Sequence, residues 1–249
     1  MIIQSYESSK RADSCMEYLR GAECTQAVGR IVLLPIPTTR DKRTILNTKV
    51  YINDVLETLD GGTVVSGYGL DDGFITAARE RGALVLDLSA DEEFLLDNAY
   101  LTALATLGIL LSSDTRAPRE IRIGVVGYGR IGKHLTNMLL YLGSDVRVFT
   151  SRGNMRLLLG ECGVLSSESS SSSDLTELDI LINTAPAEIF TRDSIPDGLR
   201  VIDLASGDNF PGIEGVERYP SIPAKMFPES AGRTWGRAIE RFIECESLS

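Results

Sequence analysis

Ile121-Arg122-Ile123-Gly124-Val125-Val126-Gly127-Tyr128-Gly129-Arg130-Ile131-Gly132 is the stretch that decides the fold. An apolar strand runs into Gly127-x-Gly129-x-x-Gly132, and a stretch of helical spacing, Ile131–Leu142, follows until Gly143 stops it. A bare G-x-G-x-x-G is weak, but with the strand before it and the helix after it the motif reads as the first turn of a dinucleotide-binding βαβ unit. The first glycine makes the tight turn, the second lets backbone approach a pyrophosphate, and the third lets helix and strand pack closely. The phosphates are expected on the N–H groups and positive dipole end of the helix. Gly127, Gly129, Arg130, Ile131 and Gly132 are therefore candidate cofactor residues.

Downstream, Asp145–Thr150 reads as the next strand. An acidic residue that holds the adenosine ribose of NAD is expected about 20 residues past the first glycine. Here Thr150-Ser151-Arg152 stands instead. A carboxylate would repel a 2′-phosphate, whereas hydroxyls and a guanidinium can hold one, so NADP is favoured over NAD. Asn154–Leu159 reads as a helix. Ser166–Ser173, seven serines and one glutamate, is expected to be a mobile surface loop with no packed element. Asp179–Asn183 is a strand ending in Asn183-Thr184-Ala185-Pro186, small residues that let backbone approach a cofactor. Arg200–Leu204 is the next strand, followed by Ala205-Ser206-Gly207. Phe210–Tyr219 reads as irregular, Pro220–Pro228 as a proline-punctuated loop holding Lys225, and Glu229–Glu244 as a last helix with Trp235 on its apolar face.

Upstream, residues 30–90 alternate strand, helix, strand, helix, strand, the pattern of a parallel sheet with crossover helices. The strand Arg30–Leu34 is halted by Pro35 and Pro37 and turns into Thr38-Thr39-Arg40-Asp41. Ligands of open α/β sheets bind at such carboxyl ends. Residues 1–30 offer a short helix over Asp13–Leu19 and no clear first strand. Asp97–Leu111 is apolar nearly all round and so is expected to be buried on several sides. The fold class is thus α/β, with two Rossmann-like or flavodoxin-like parallel-sheet domains, a cleft between them and a hydroxyacid-dehydrogenase-like arrangement. The expected boundaries are 1–96 for a shortened substrate-side domain, 97–113 for an interdomain helix, 114–228 for the NADP domain, and 229–249 for a C-terminal helix at the domain junction.

The net charge of −10 leaves no basic stripe for a nucleic acid. Cys15, Cys24, Cys162 and Cys245 form no Cys-x-x-Cys pair and no Cys/His cluster, so neither a metal site nor a disulfide framework is expected. Reduced thiols, the lack of a leader pattern and an apolar run (Ala103–Leu111) too short for a bilayer give a cytoplasmic, membrane-free expectation. The single histidine, His134, falls on the helix after the glycine turn in a packing role. That removes the usual general base for hydroxyl oxidation.

Several stretches in this order resemble the dipicolinate synthase family, in its NADP-linked, A-type branch. They are Leu34–Asp41 (LPIPTTRD), Asn98–Thr102 (NAYLT), Gly127–Gly132, Asp179–Pro186 (DILINTAP), Asp203–Ser206 (DLAS), Pro223–Lys225 and Pro228–Gly232. The resemblance runs from about Ile31 to the last helix. It implies NADP-linked oxidation of a dihydrodipicolinate-type ring from the lysine pathway to dipicolinate, in sporulation, with aromatisation as driving force. It also implies a companion in the form of a flavoprotein-like second subunit, and it carries Asn98 and Thr102 to the substrate side. A dicarboxylate substrate needs cations or donors at each carboxylate. Arg40 with Thr38 and Thr39, and Lys225 with Ser206, are expected to bracket it across the cleft, Lys225 serving as base if one is used. The family pattern has Pro and Glu where this chain has Leu101 and Leu104. Two other readings therefore stay open: a non-catalytic protein that only binds NADP within an assembly, and another NAD(P)-dependent dehydrogenase of the 2-hydroxyacid type. A homo-oligomer is expected.

Overall fold

The computed structural model describes residues 1–247. In chain order the first elements are β1 (Ile2–Ser5), α1 (Lys10–Gly21), β2 (Arg30–Leu33), α2 (Ile52–Glu57), β3 (Thr63–Gly67), α3 (Asp72–Glu80) and β4 (Leu84–Asp87). Then come α4 (Glu92–Ser113), β5 (Arg122–Val126), α5 (Arg130–Tyr141), β6 (Asp145–Phe149), α6 (Gly153–Glu161) and β7 (Leu165–Ser167). The chain closes with β8 (Ile180–Asn183), β9 (Arg200–Asp203), β10 (Glu217–Arg218), α7 (Ile222–Met226) and α8 (Pro228–Ser247). They divide into two units, Met1–Asn98 with the chain from Phe227 onward, and Ala99–Met226. Each is a parallel-sheet α/β unit, as the strand–helix alternation predicts.

In the first unit the strands lie in the order β1-β2-β3-β4. Along β2 and the residue after it, Ile31 and Leu33 enter one core and Val32 and Leu34 the other, so the sheet is covered on both faces. That is why β2 reads as an unbroken apolar run. Residues of α1 and α8 fill the first core, with Trp235 fully buried and its indole N–H donating to Ser66 Oγ at 2.9 Å. The two helices pack through glycines of α8. A Cβ on Gly232 would lie 2.4 Å from the Arg11 carbonyl oxygen, and one on Gly236 would lie 2.5 Å from the Tyr18 ring. The Tyr18 hydroxyl donates to Glu240, and this bond, with some burial, pushes the phenol up to about 12.

The second unit carries six strands in the order β10-β9-β8-β5-β6-β7. Counted from β5, this is the order 3-2-1-4-5-6 of dinucleotide-binding sheets, with its switch point between β5 and β8. One face buries Ile123, Val125, Val146, Val148, Ile180 and Ile182. The other buries Val126, Phe149 and Leu181 against Phe190, Phe210 and Ile213 from loops.

Five expectations change. A first strand exists after all: β1 pairs in parallel with β2 from Ile2↔Arg30 to Ser5↔Leu33. Its sequence signal is weak because it is a four-residue edge strand whose Ile2 is 65% exposed. The serine tract is not a loose loop. Its start lies in β7, which pairs with β6, and its end enters a 3-10 helix (Ser172–Glu177) anchored by fully buried Leu175. Serine hydroxyls bond locally there, as Ser171 does to Asp174 at 2.8 Å, and Arg147 binds Asp174 and Glu177. Lys225 lies on the short helix α7 rather than in a loop, and Glu217–Arg218 adds an edge strand within the stretch read as irregular. Finally, α4 has 22 residues and is long and apolar enough to cross a membrane by length and composition, unlike the shorter run Ala103–Leu111 inside it. Its Ala103, Ala105 and Leu110 are buried, Ala103 and Leu110 in the core of the second unit, as in a core helix.

The glycine contacts give a paired test. Gly232→Ala is expected to cost about 1–3 kcal/mol by overpacking. Gly160→Ala, on α6 where a Cβ would meet nothing within 4 Å, is expected to gain up to about 1 kcal/mol from helix propensity. Denaturant unfolding of the two variants reads both signs.

Candidate functional site

The turn after β5 is built by close approach. Gly127 sits at φ +88°, and its N–H donates to the Phe149 carbonyl at 2.8 Å. A Cβ on Gly132 would lie 2.1 Å from the Gly127 carbonyl oxygen, so only glycine lets α5 start this close to β5. A Cβ on Gly129, the N-cap of α5, would meet nothing within 4 Å. The three positions thus behave as a dinucleotide turn requires: one bends, one leaves room for phosphate, one packs. Across the switch point, Thr184 donates its N–H and its hydroxyl to the Val126 carbonyl, at 2.9 and 2.8 Å. Val126, Asn183 and Phe149 are in-register partners, so Gly127–Gly132, Thr150–Arg152 and Asn183–Pro186 all stand at the carboxyl edge of one sheet.

At the end of β6, Thr150 is buried, and its N–H donates to the Ser167 carbonyl at 3.1 Å. Ser151 is exposed. Arg152 reaches back over the glycine turn, donating from Nη2 to the Tyr128 carbonyl at 2.6 Å. Arg156 donates to the Thr150 carbonyl at 2.6 Å and pairs with Glu168 at 2.7 Å. Two guanidiniums therefore gather where a ribose-binding carboxylate would otherwise stand. Arg156 is not among the residues expected from the sequence; its position one helical turn after Arg152 was the available signal. His134 packs edge-to-face on Tyr100, ring centroids 5.7 Å apart.

The expected substrate residues fall in both units. In the first, Thr38 is fully buried and ties its backbone to that of Tyr68: its hydroxyl accepts from the Tyr68 N–H at 2.8 Å. Thr39 Oγ1 accepts from the Lys42 N–H at 2.7 Å, and Asp41 accepts from the Arg43 and Thr44 N–H groups at 2.9 and 2.7 Å. The Thr44 and Arg43 bonds hold the Asp41 carboxyl below its ordinary value. The resulting loop presents Arg40, Lys42 and Arg43 to solvent, with Lys42 in the left-handed region at φ +61°. Beside it, a cavity of about 580 Å³ opens at the carboxyl ends of β3 and β4, walled by Thr39, Lys42, Leu70, Phe74 and three aspartates, Asp71, Asp72 and Asp87. Asn98, half-buried on α4, also belongs to the first unit. In the second unit Thr102 is buried on α4, Ser206 is exposed after β9, and Lys225 is exposed on α7. Leu101 is buried and Leu104 half-buried.

No sequence-family model matches the chain, and no curated protein matches it. Solved structures do. The A-type subunit of dipicolinate synthase from Bacillus halodurans superposes with a TM-score of 0.75 at 20% identity, covering 97% of this chain and 96% of that one. The corresponding dipicolinate synthase polypeptide from Bacillus subtilis gives 0.77 at 16% identity, covering 98% and 96%. The chain has the fold of dipicolinate synthase. A D-isomer-specific 2-hydroxyacid dehydrogenase from Lactobacillus delbrueckii ssp. bulgaricus, in its NAD-complexed form, follows at 0.56 and 10% identity, covering 100% and 97%. The dipicolinate synthase fold thus lies among dehydrogenase folds, and the glycine turn of this chain has the geometry a dinucleotide's pyrophosphate needs.

Gly132→Ala is expected to lower stability by about 1–3 kcal/mol, because the helix start must move away from the turn. Gly129→Ala should leave the melting temperature unchanged and weaken dinucleotide binding, since its methyl group enters the space left for phosphate. Thermal melts with and without NADPH separate the two.

Proposed function

We propose that this chain is an NADP-dependent oxidoreductase that oxidises a dihydrodipicolinate-type ring to dipicolinate. The observation that carries the cofactor half is the end of β6, where Arg152 and Arg156 stand beside Thr150 and Ser151 in place of a carboxylate. A guanidinium binds a 2′-phosphate through paired charge-assisted bonds. The dipicolinate synthase fold supports the substrate half.

A bound NADP⁺, held at the glycine turn and Arg152, would supply the hydride acceptor. The ring loses one hydride and one proton, and gains aromaticity in return. Arg40, with Thr38 and Thr39, and Lys225, with Ser206, are the proposed carboxylate anchors, joined by Asn98 and Thr102. Lys225, exposed on α7, is the proposed proton acceptor if a base is used. A homo-oligomer in the cytoplasm, whose companion is a flavoprotein-like second subunit, completes the proposal. The leucines at 101 and 104 favour a second reading, a protein that binds NADP without turnover.

NADPH is expected to bind at least about tenfold more tightly than NADH, and Arg152→Ala should remove most of that preference by weakening NADPH alone. Fluorescence titration of both dinucleotides reads it. Mixing the protein with a dihydrodipicolinate precursor and NADP⁺ and following the aromatic product in the ultraviolet tests turnover. Lys225→Met is expected to slow it about a hundredfold. Unchanged turnover and affinity in Lys225→Met would remove Lys225 from the site. NADPH binding without product would leave the non-catalytic reading.

A further inference from the structure

Asn183 and Asp203 end neighbouring parallel strands and are partners in register, so their side chains stand side by side on one face of the sheet. They are 1% and 2% exposed, and Asn209 beside them is 4% exposed. Asp203 Oδ1 accepts from Asn183 Nδ2 at 2.9 Å and from the Ala205 N–H at 3.2 Å. Asn209 Nδ2 lies 3.4 Å from Oδ1 and 3.2 Å from Oδ2 of Asp203, and donates to the Ser206 carbonyl at 3.3 Å. Asn183 spends the rest of its amide on Ala185, donating to its carbonyl at 2.9 Å and accepting from its N–H at 3.1 Å. Among the described residues no lysine or arginine pairs with Asp203. The guanidinium of Arg218, on the adjacent strand, goes to Asp208 and the Phe210 carbonyl instead.

A buried carboxylate is costly unless donors surround it. Here every donor comes from one of two loops, Asn183–Pro186 and Ala205–Asn209. The carboxylate therefore locks the two loops together at one side of the switch point. Dinucleotide sheets split their ligand between two halves. The β5–β7 half, with the glycine turn and Arg152, takes the adenosine side, leaving the β8–β10 half for the nicotinamide side. We propose that Asp203 is the positioning residue of the nicotinamide half of the cofactor site, acting through the backbone of Ala185 and Ser206 while the adenosine half is set without it. This rests on the cofactor reading above.

The test compares a whole dinucleotide with its adenosine half: NADPH against 2′,5′-ADP, and NADH against AMP in parallel, with wild type and Asp203→Asn. The variant is expected to weaken the whole dinucleotide about tenfold, the scale of one charge-assisted bond, and to leave the adenosine half within about twofold. Asn209→Ala, which removes one donor without changing charge, should show the same split and serves if Asp203→Asn does not fold. Equal loss for both ligands, or loss for neither, overturns the positioning role while leaving the cofactor reading intact. Wild-type protein that binds none of the four overturns both.

Discussion

The carboxyl edge of the second sheet depends on one contact, the start of α5 against the carbonyl of Gly127. With a side chain at position 132 the helix would have to retreat, because even a methyl carbon would sit 2.1 Å from that oxygen. Everything else at this edge is registered to the same turn. Gly127 hangs from the Phe149 carbonyl, and Thr184 hangs from those of Val126 and Gly127. Asn183 pairs with Val126 on one side and Asp203 on the other. A row of strand ends, from β6 through β5 and β8 to β9, is thereby held level, and the loops that leave it inherit their positions.

Charge is distributed to match. The chain carries ten more acidic than basic side chains, so a site for an anionic ligand cannot draw on a general field. It has to be assembled from single cations with their own supports. Arg152 is steadied by a carbonyl of the glycine turn, and Arg156 by the Thr150 carbonyl and Glu168. In the first unit, Thr39 and Asp41 close a loop from which Arg40, Lys42 and Arg43 project. The neighbouring cavity shares Thr39 and Lys42 with this loop and adds three aspartates, so its wall carries both signs.

The parts legible in the sequence are those where one residue type has a single physical use. Glycine spacing announces the turn, and unbroken apolar runs announce strands covered on both faces, as in β2. What is not legible depends on partners far along the chain. Ile2–Ser5 is too short and too exposed to look like a strand until β2 lies beside it. The serine tract looks featureless because its order comes from pairing with β6 and from Leu175 beyond it. Asp203 carries no spacing signal, since its bond to Asn183 exists only once β8 and β9 are in register, and Asn209 reaches it from the loop after β9. Arg156 is legible only through its spacing, one helical turn after Arg152.

The first unit is assembled from two segments far apart in the sequence. Its core holds Ala12, Cys15 and Leu19 from α1 together with Trp235, Ala238, Ile239 and Ile243 from α8, and the whole second unit is threaded between them in sequence. Domains emerging from a ribosome ordinarily fold from the amino terminus onward. Here that order is inverted. Residues 1–98 must wait, with one face of their sheet uncovered, until α8 emerges, while the inserted unit has all its strands beforehand. The order of synthesis thus makes the nucleotide-binding unit the first to be complete and leaves the other exposed to premature association for the longest time.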